Sequence, residues 1–179
     1  MGRTKFAVED VRAFDNAMLA ACDTDEERAV VYILALTGMH VSSLLNLKAA
    51  DVVRRGPEVL LTWERPKTRK RMEHAVPKGR VALVEAFAGR IRRRPSTDAY
   101  NFILKRIGRR AGYPDVSPMT FRHNYCRRLI EAGGSLLTIP TEMGCSVAVA
   151  TRNYARQQRD MRDDDYDPGQ DSESRGDNI

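Results

Sequence analysis

Side chains suited to holding phosphate are concentrated in one part of this 179-residue chain. Residues 65–110 contain 15 lysines and arginines but only 3 acidic side chains, whereas residues 160–179 contain 8 acidic and 2 basic ones. Arginine binds phosphate in bidentate fashion through a planar fork that keeps its charge. A basic segment of this kind is typical of a polyanion-binding surface, most often one for nucleic acid. Scattered charges of the same number would indicate only a solvated surface.

Five short segments occur in an order and at a spacing that are informative together. They are Thr37–Leu47 (TGMHVSSLLNL), Pro66–Thr68 (PKT), Ser117–His123 (SPMTFRH), Met143–Ser146 (MGCS) and Tyr154. Each segment alone is a weak signal. Their joint order resembles the catalytic domain of the tyrosine recombinases, the phage integrase family.

The resemblance implies breakage and rejoining of DNA without a metal ion or ATP. In this family a tyrosine hydroxyl attacks the scissile phosphate and holds it as a 3′-phosphotyrosine while the 5′-oxygen leaves. Preorganised cations stabilise the charge that develops on the phosphoryl oxygens. Tyr154 matches the nucleophile, Lys67 the hairpin lysine that protonates the leaving oxygen, and Arg122 the second of two arginines. Taken alone, the tyrosine would be a core residue and the lysine a solvated or phosphate-contacting one.

Three of the six catalytic positions differ from the family pattern. His40 stands in place of the first arginine, and Met119 and Cys145 stand in place of two histidines. Ser43 also replaces an acidic residue. Losing one donor of this kind typically costs about 3–4 kcal/mol in the transition state, and losses within one site do not simply add. His40 can substitute in part if a phosphate keeps it charged. Met119 can neither donate nor transfer a proton, and Cys145 is a weak donor.

Double-stranded DNA is the predicted partner, with self-association or association with another recombinase on that DNA. No metal is expected, because His40 and Cys145 do not belong to any set of three or four ligands. No other cofactor is expected either. The predicted DNA contacts are basic side chains from the hairpin onward: Arg65, Arg69, Lys70, Arg71, Arg92, Arg93, Arg94, Lys105, Arg109, His123 and Arg152.

Hydrophobic periodicity and capping signals predict the elements that must position these residues. Thr24 and Glu27 fit a capping box, Gly38 ends a helix, and Ser117-Pro118 begin another. Helices are predicted over 8–22, 24–37, 41–47, 78–88, 97–111, 118–132 and 146–154, with a two-turn helix from Ser135 that contains Pro140. Strands are predicted at 52–53, 59–63 and 72–76, the first two joined by a turn over 54–57.

These elements predict a mainly α fold with a small antiparallel β-sheet (α+β), the tyrosine-recombinase catalytic-domain fold. Residues 1–161 are expected to form one such domain without an N-terminal core-binding domain. Residues 162–179 are too polar to pack and are predicted to be a disordered acidic tail. The longest apolar run, Ala29–Leu36, is far too short for a membrane span, so we expect no membrane contact. Three cysteines without CxxC spacing agree with a reduced, cytoplasmic protein.

Two functions remain open from the sequence. One is a recombinase or integrase domain whose catalytic site is altered, which Tyr154, Arg122 and Lys67 favour. The other is a recombinase-fold protein that holds DNA without cutting it, which the three substituted positions favour. A weaker third hypothesis is an unrelated helical regulator that binds nucleic acid through its basic segment.

Overall fold

The computed structural model describes residues 10–65, 69–90, 96–133, 135 and 138–143. Within these ranges, seven α-helices accompany one three-stranded antiparallel sheet, which confirms the predicted mainly α fold. The α-helices are α1 (Val11–Ala20), α2 (Asp25–Thr37), α3 (Val41–Leu45), α4 (Val81–Ala88), α5 (Thr97–Arg110), α6 (Pro118–Glu131) and α7 (Thr138–Met143). The strands are β1 (Val52–Arg55), β2 (Glu58–Glu64) and β3 (Arg71–Ala75), and short 3-10 helices cover Ala49–Asp51 and Lys78–Arg80.

Helix α2 lies at the centre of the hydrophobic core. Its residues Val30, Val31, Ile33 and Leu34 are fully buried, and it packs against α1, α4 and α6. A helix that is apolar nearly all round needs neighbours on several sides, as its sequence predicts. No helix in the described ranges is long and apolar enough to span a membrane, since the longest have 14 residues.

The sheet runs in the order β1-β2-β3, and its middle strand has five consecutive buried residues. The β1–β2 turn is tighter than predicted, because β1 continues through Arg54 and Arg55 and leaves only Gly56 and Pro57 between the strands. The two arginines extend along the sheet edge, where they pair with Glu85 and Glu73 at 2.7 and 3.3 Å. Gly56 has a φ of +60°, which suits glycine in so short a turn.

Several helix ends in the structure differ from the predicted ones. Helix α1 begins at Val11 rather than Val8, because the Asp10 carboxylate accepts hydrogen bonds from the backbone N–H groups of Arg12 and Ala13 at 2.8 and 3.0 Å. Helix α3 ends at Leu45 rather than Leu47, and the predicted helix over 78–88 begins with a 3-10 turn. Pro140 is the third residue of α7, within the first turn of the helix, where proline is tolerated. The predicted helix over 146–154 lies outside the described residues.

Helix α6 is bound to the C-terminal end of α2 at several points. Gly38 ends α2 in the left-handed conformation (φ +58°), and its N–H donates to the Leu34 carbonyl at 2.9 Å. A Cβ on Gly38 would lie 2.7–2.8 Å from side-chain atoms of Tyr125 on α6. One turn further along α6, Arg128 donates to the Ala35 carbonyl and pairs with the carboxylate of Asp15 on α1. Burial raises the pKa of Asp15, and Arg128 offsets only part of that rise.

A second set of ion pairs ties α2 to α5. The Glu27 carboxylate, 5% exposed, accepts from Arg106 at 2.5 Å and from Arg110 at 2.9 Å. It also accepts from the Asp23 N–H at 2.8 Å, one residue before the Thr24 N–H that the predicted capping box requires. The other half of the box is present, because the Thr24 hydroxyl accepts from the Glu27 N–H at 3.1 Å. Burial alone would raise the pKa of Glu27, but these hydrogen bonds and charges together hold it below its ordinary value.

Replacing Gly38 by alanine tests the close approach of α2 and α6. The new methyl group meets both a positive φ and the Tyr125 ring, so Gly38→Ala should cost about 3 kcal/mol of unfolding free energy. Gly56→Ala is the matched control, because Gly56 has nearly the same φ (+60°) and nothing within 4 Å of the new carbon. It should cost about 1–2 kcal/mol. Equal losses in urea denaturation would contradict the packing argument.

Replacing Glu27 by glutamine tests the α2–α5 ion pairs. A carboxylate whose folded pKa is lowered stabilises the fold above its unfolded pKa, and this contribution is lost as the pH falls through the folded pKa. Glu27→Gln should therefore cost about 2 kcal/mol at pH 7, and the difference from wild type should shrink as the pH falls below about 4. Glu26→Gln, which removes a more exposed pair with Arg90, should cost less than about 1 kcal/mol at pH 7. A difference for Glu27→Gln that stays constant with pH would contradict the assignment.

Candidate functional site

A small pocket opens where the C-terminal end of α2, the β2–β3 hairpin, α6 and α7 meet. Polar and charged side chains from several elements line it, together with four apolar ones. The lining residues are Thr37, Met39, His40, Ser43, Trp63, Arg65, Met72, Arg122 and Met143.

His40 enters this pocket from the residue that precedes α3. It occupies the N-cap position with extended backbone (φ −70°, ψ 146°), and its carbonyl accepts from the N–H groups of Ser43 and Leu44 at 2.9 and 3.1 Å. Its imidazole is exposed and does not cap α3. Instead its Nε2 lies 3.4 Å from Nη2 of Arg65. The turn between α2 and α3 thus directs the imidazole toward the hairpin.

Arg65 is held at the pocket by the backbone of the β2–β3 hairpin. Its N–H donates to the Lys70 carbonyl at 3.0 Å, and its own carbonyl accepts from the Arg69 N–H at 2.9 Å. Arg69, with a φ of +56°, pairs instead with Glu64 at 2.9 Å. In the described ranges no carboxylate lies within ion-pair distance of Arg65. Its charge is therefore available to an anion in the pocket.

Arg122 enters from α6 and is fixed by two backbone carbonyls. Nη1 donates to the Gly38 carbonyl at 2.8 Å, and Nη2 donates to the Met143 carbonyl at 3.0 Å. Both carbonyls lie at or just past helix C-termini, where the helix dipole is negative and favours a cation. The two bonds set the plane of the guanidinium group before any ligand arrives.

Apolar side chains form the remaining walls of the pocket. Met39, Trp63, Met72 and Met143 are each at most 7% exposed. Charges beside such walls interact more strongly than they would in water. The hydroxyl of Ser43 is buried here and has no hydrogen-bond partner among the described residues. The pocket is therefore lined by an imidazole and two guanidinium groups, which are side chains that bind anions.

The described structure brings together two of the six predicted catalytic positions, His40 and Arg122. Met119 does not line the pocket, and it is 42% exposed near the start of α6. Lys67, Cys145 and Tyr154 lie outside the described residues, and so do Arg92, Arg93, Arg94 and Arg152. Their assignment stays a prediction.

The remaining basic residues divide into those that face solvent and those that hold the fold together. Lys70, Arg71, Lys105 and Arg109 are exposed, Arg69 is exposed but paired with Glu64, and His123 is half-buried beside Arg122. Arg106 and Arg110 contributed to the basic segment, but both turn toward Glu27. Fewer basic side chains are therefore available to a ligand than the number of lysines and arginines in residues 65–110.

Sequence reasoning missed the role of Arg65 in the pocket and the apolar walls. Arg65 was predicted only as a DNA contact, although its place directly before Pro66-Lys67-Thr68 puts it at the base of the hairpin. Alternation along β3 could have indicated Met72, which pairs with Trp63 across the sheet. Among the described residues, no group of three His, Cys, Asp or Glu side chains is placed to hold a metal ion.

A family model, curated relatives and solved structures all relate this chain to the same group of proteins. The sequence model of the phage integrase family matches residues 6–161. Tyrosine recombinase XerC of Bifidobacterium longum (strain DJO10A) is 27% identical over 167 residues, covering 78% of this chain and 45% of the relative. The chain spans about half the length of the curated relatives it matches.

Two solved structures share the fold. The crystal structure of XerA recombinase superposes with a TM-score of 0.70 at 20% identity, covering 86% of this chain and 60% of that one. XerH recombinase, solved with its palindromic difH substrate after cleavage, superposes with a TM-score of 0.69 at 15% identity. The match covers 86% of this chain and 50% of the XerH chain. At these identities the likeness establishes the arrangement of the helices and the sheet, which is that of tyrosine recombinase catalytic domains.

Replacing Arg122 by lysine tests the two carbonyl contacts. Lysine keeps the charge but cannot reach both carbonyls with a planar fork. Arg122→Lys should therefore cost about 1–2 kcal/mol of unfolding free energy. Arg127→Lys on the same helix is the control, because its pair with Glu131 at 2.7 Å is a partly exposed i,i+4 contact worth less than about 0.5 kcal/mol. If both variants unfold at the same denaturant concentration, Arg122 does not join α2 to α7.

Proposed function

This chain belongs to the phage integrase family of tyrosine recombinases, and from that premise we propose that it binds double-stranded DNA and cleaves and rejoins its strands through Tyr154. The observation that carries the proposal is the convergence of His40, Arg65 and Arg122 on one pocket. Both guanidinium groups can bind a phosphate, and the apolar walls strengthen their charge.

The proposed reaction is a transfer of a phosphodiester between two oxygens. Tyr154 gives up its phenolic proton to water and its oxygen bonds to phosphorus as the bond to the 5′-oxygen breaks. Lys67 delivers a proton to that 5′-oxygen, so one proton is released and one is taken up. Arg122 and His40 hold the phosphoryl oxygens, whose negative charge is greatest in the transition state. The reverse transfer rejoins the strand, because the phosphotyrosine keeps the bond energy.

Two of the predicted catalytic positions contribute little to this step. Met119 has no donor and lies outside the pocket, and Cys145 offers only a weak one. The altered site should therefore react more slowly than one that holds two histidines at these positions. A slow first step leaves binding affinity unchanged, so the proposal separates DNA affinity from the rate of cleavage.

The charge of the surface and the fold both support double-stranded DNA as the partner. Exposed basic side chains follow the hairpin and continue on α5 with Lys105 and Arg109. The XerH structure contains its DNA substrate, and another neighbour is the Tn1549 transposon integrase in complex with transposon right-end DNA. Contacts through lysine and arginine release counterions, so binding should weaken steeply with salt. Self-association on DNA belongs to the same proposal.

The second candidate is a protein that holds DNA without cutting it. The substitution of His40, Met119 and Cys145 favours this reading, since it removes an arginine and two histidines from the family's set. We propose residues 1–161 as the DNA-binding domain in either case, with residues 162–179 as an acidic tail.

Covalent trapping separates the two functions. Mixed with nicked duplexes drawn from the DNA that flanks its own gene, the wild-type protein should form an adduct that survives a denaturing gel. Tyr154→Phe should form none while shifting the same DNA in a native gel with unchanged affinity. A native-gel shift without any adduct, in wild type and in His40→Arg alike, would establish the binding-only function. No shift at low salt would reject both.

A further inference from the structure

We propose that Arg65 supplies the guanidinium group that position 40 lacks, so that the phosphate-binding set of this chain is Arg65, His40 and Arg122. This inference rests on the proposed function, because it names how the altered site holds its phosphate. It assigns Arg65 a contact with the phosphate in the pocket rather than with DNA backbone elsewhere.

The first argument is the distance between Arg65 and His40. Nη2 of Arg65 lies 3.4 Å from Nε2 of His40, a contact in which the ring nitrogen donates or accepts according to its tautomer. When Nε2 carries a proton, it and Nη2 are two donors close enough to reach two oxygens of one phosphate group. An imidazole alone gives one donor, whereas the pair gives a charged fork and a ring nitrogen.

The second argument is that the fold prepares Arg65 for this position. Backbone hydrogen bonds to Lys70 and Arg69 fix the residue at the base of the hairpin. The neighbouring arginine, Arg69, is engaged by Glu64, while no carboxylate in the described ranges approaches Arg65. An arginine that lines a pocket without a carboxylate has its strongest favourable interaction still to make, and an anion provides it.

The third argument is the opposite wall of the pocket. Arg122 is already oriented by the carbonyls of Gly38 and Met143, so the two guanidinium groups lie on the same pocket from separate elements. The hairpin and α6 each contribute one arginine. His40 stands in place of the family's first arginine, but the pocket still contains two arginines. Arg65 comes from the hairpin and Arg122 from α6.

Trp63 provides a direct optical probe of this pocket. It is the single tryptophan of the chain, lines the pocket and is 7% exposed. Inorganic phosphate titrated at constant ionic strength should produce a saturable change in its fluorescence. In Arg65→Gln the phosphate affinity should fall about tenfold or more. Arg65→Lys should lie between the two, because it keeps charge without the fork.

Arg55→Gln is the matched control for lost charge. Arg55 is exposed at the end of β1, outside the pocket and outside the predicted DNA contacts. Its variant should bind phosphate within about twofold of wild type, because its charge is screened by solvent. Equal losses in Arg65→Gln and Arg55→Gln would overturn the proposal, and so would a wild-type protein whose fluorescence does not respond to phosphate.

A double-mutant cycle tests whether Arg65 takes the place of the arginine that is missing at position 40. If Arg65 stands in for the missing arginine, its removal should matter much less once His40→Arg restores that residue. The loss from Arg65→Gln should fall from about tenfold in wild type to about threefold or less in His40→Arg. Equal losses in both backgrounds would show independent roles and reject the substitution.

These experiments distinguish failure of this inference from failure of the proposed function. Phosphate binding that depends on Arg65, in a protein that never forms a covalent adduct, would reject cleavage and keep this inference. An adduct that forms as fast in Arg65→Gln as in wild type would reject this inference and keep cleavage.

Discussion

The contact between α6 and the C-terminal end of α2 is the constraint on which the pocket depends. Helix α2 is the buried centre of the fold, and its last carbonyls have no helical donors. Arg122 and Arg128 donate to the carbonyls of Gly38 and Ala35, and Tyr125 packs where a Cβ on Gly38 would stand. Satisfying these carbonyls from α6 places Arg128 against α2 and α1 and Arg122 at the pocket. The same interactions therefore stabilise the fold and position the site.

This arrangement explains how positive charge is maintained beside apolar walls. The guanidinium of Arg122 is held by carbonyl dipoles, which lower the cost of burying its charge. Helix α7 contributes the Met143 carbonyl, and a small cluster of Tyr125, Cys126, Ile139 and Met143 fixes α7 against α6. Packing at a distance from the pocket thus sets the orientation of a charged group within it.

Local signals in the sequence predicted most of the fold, because each acts over a few residues. Thr24, Gly38 and the pair Ser117-Pro118 mark helix ends that the structure confirms. The early start predicted for α1 was wrong, because periodicity ignores the cap that the Asp10 carboxylate makes. Capping bonds decide such boundaries more precisely than hydrophobic spacing does.

The pocket was harder to predict, because it depends on contacts distant in the chain. Spacing within the family pattern assigned His40 and Arg122 to one site, and both line the pocket although they are 82 positions apart. The same pattern assigned Met119 to the site, yet its side chain faces solvent. It gave Arg65 no role beyond DNA contact, because the pattern contains no such arginine. Only the path of the hairpin reveals that Arg65 reaches His40.

A crystal structure of Tyr154→Phe protein on a duplex that it binds would test the account most directly. The account predicts one phosphate in the pocket, contacted by Arg65, His40 and Arg122, with Arg122 still donating to the carbonyls of Gly38 and Met143. A DNA backbone that crosses the basic surface and leaves the pocket empty would contradict it. So would a phosphate held in the pocket with Arg65 turned away.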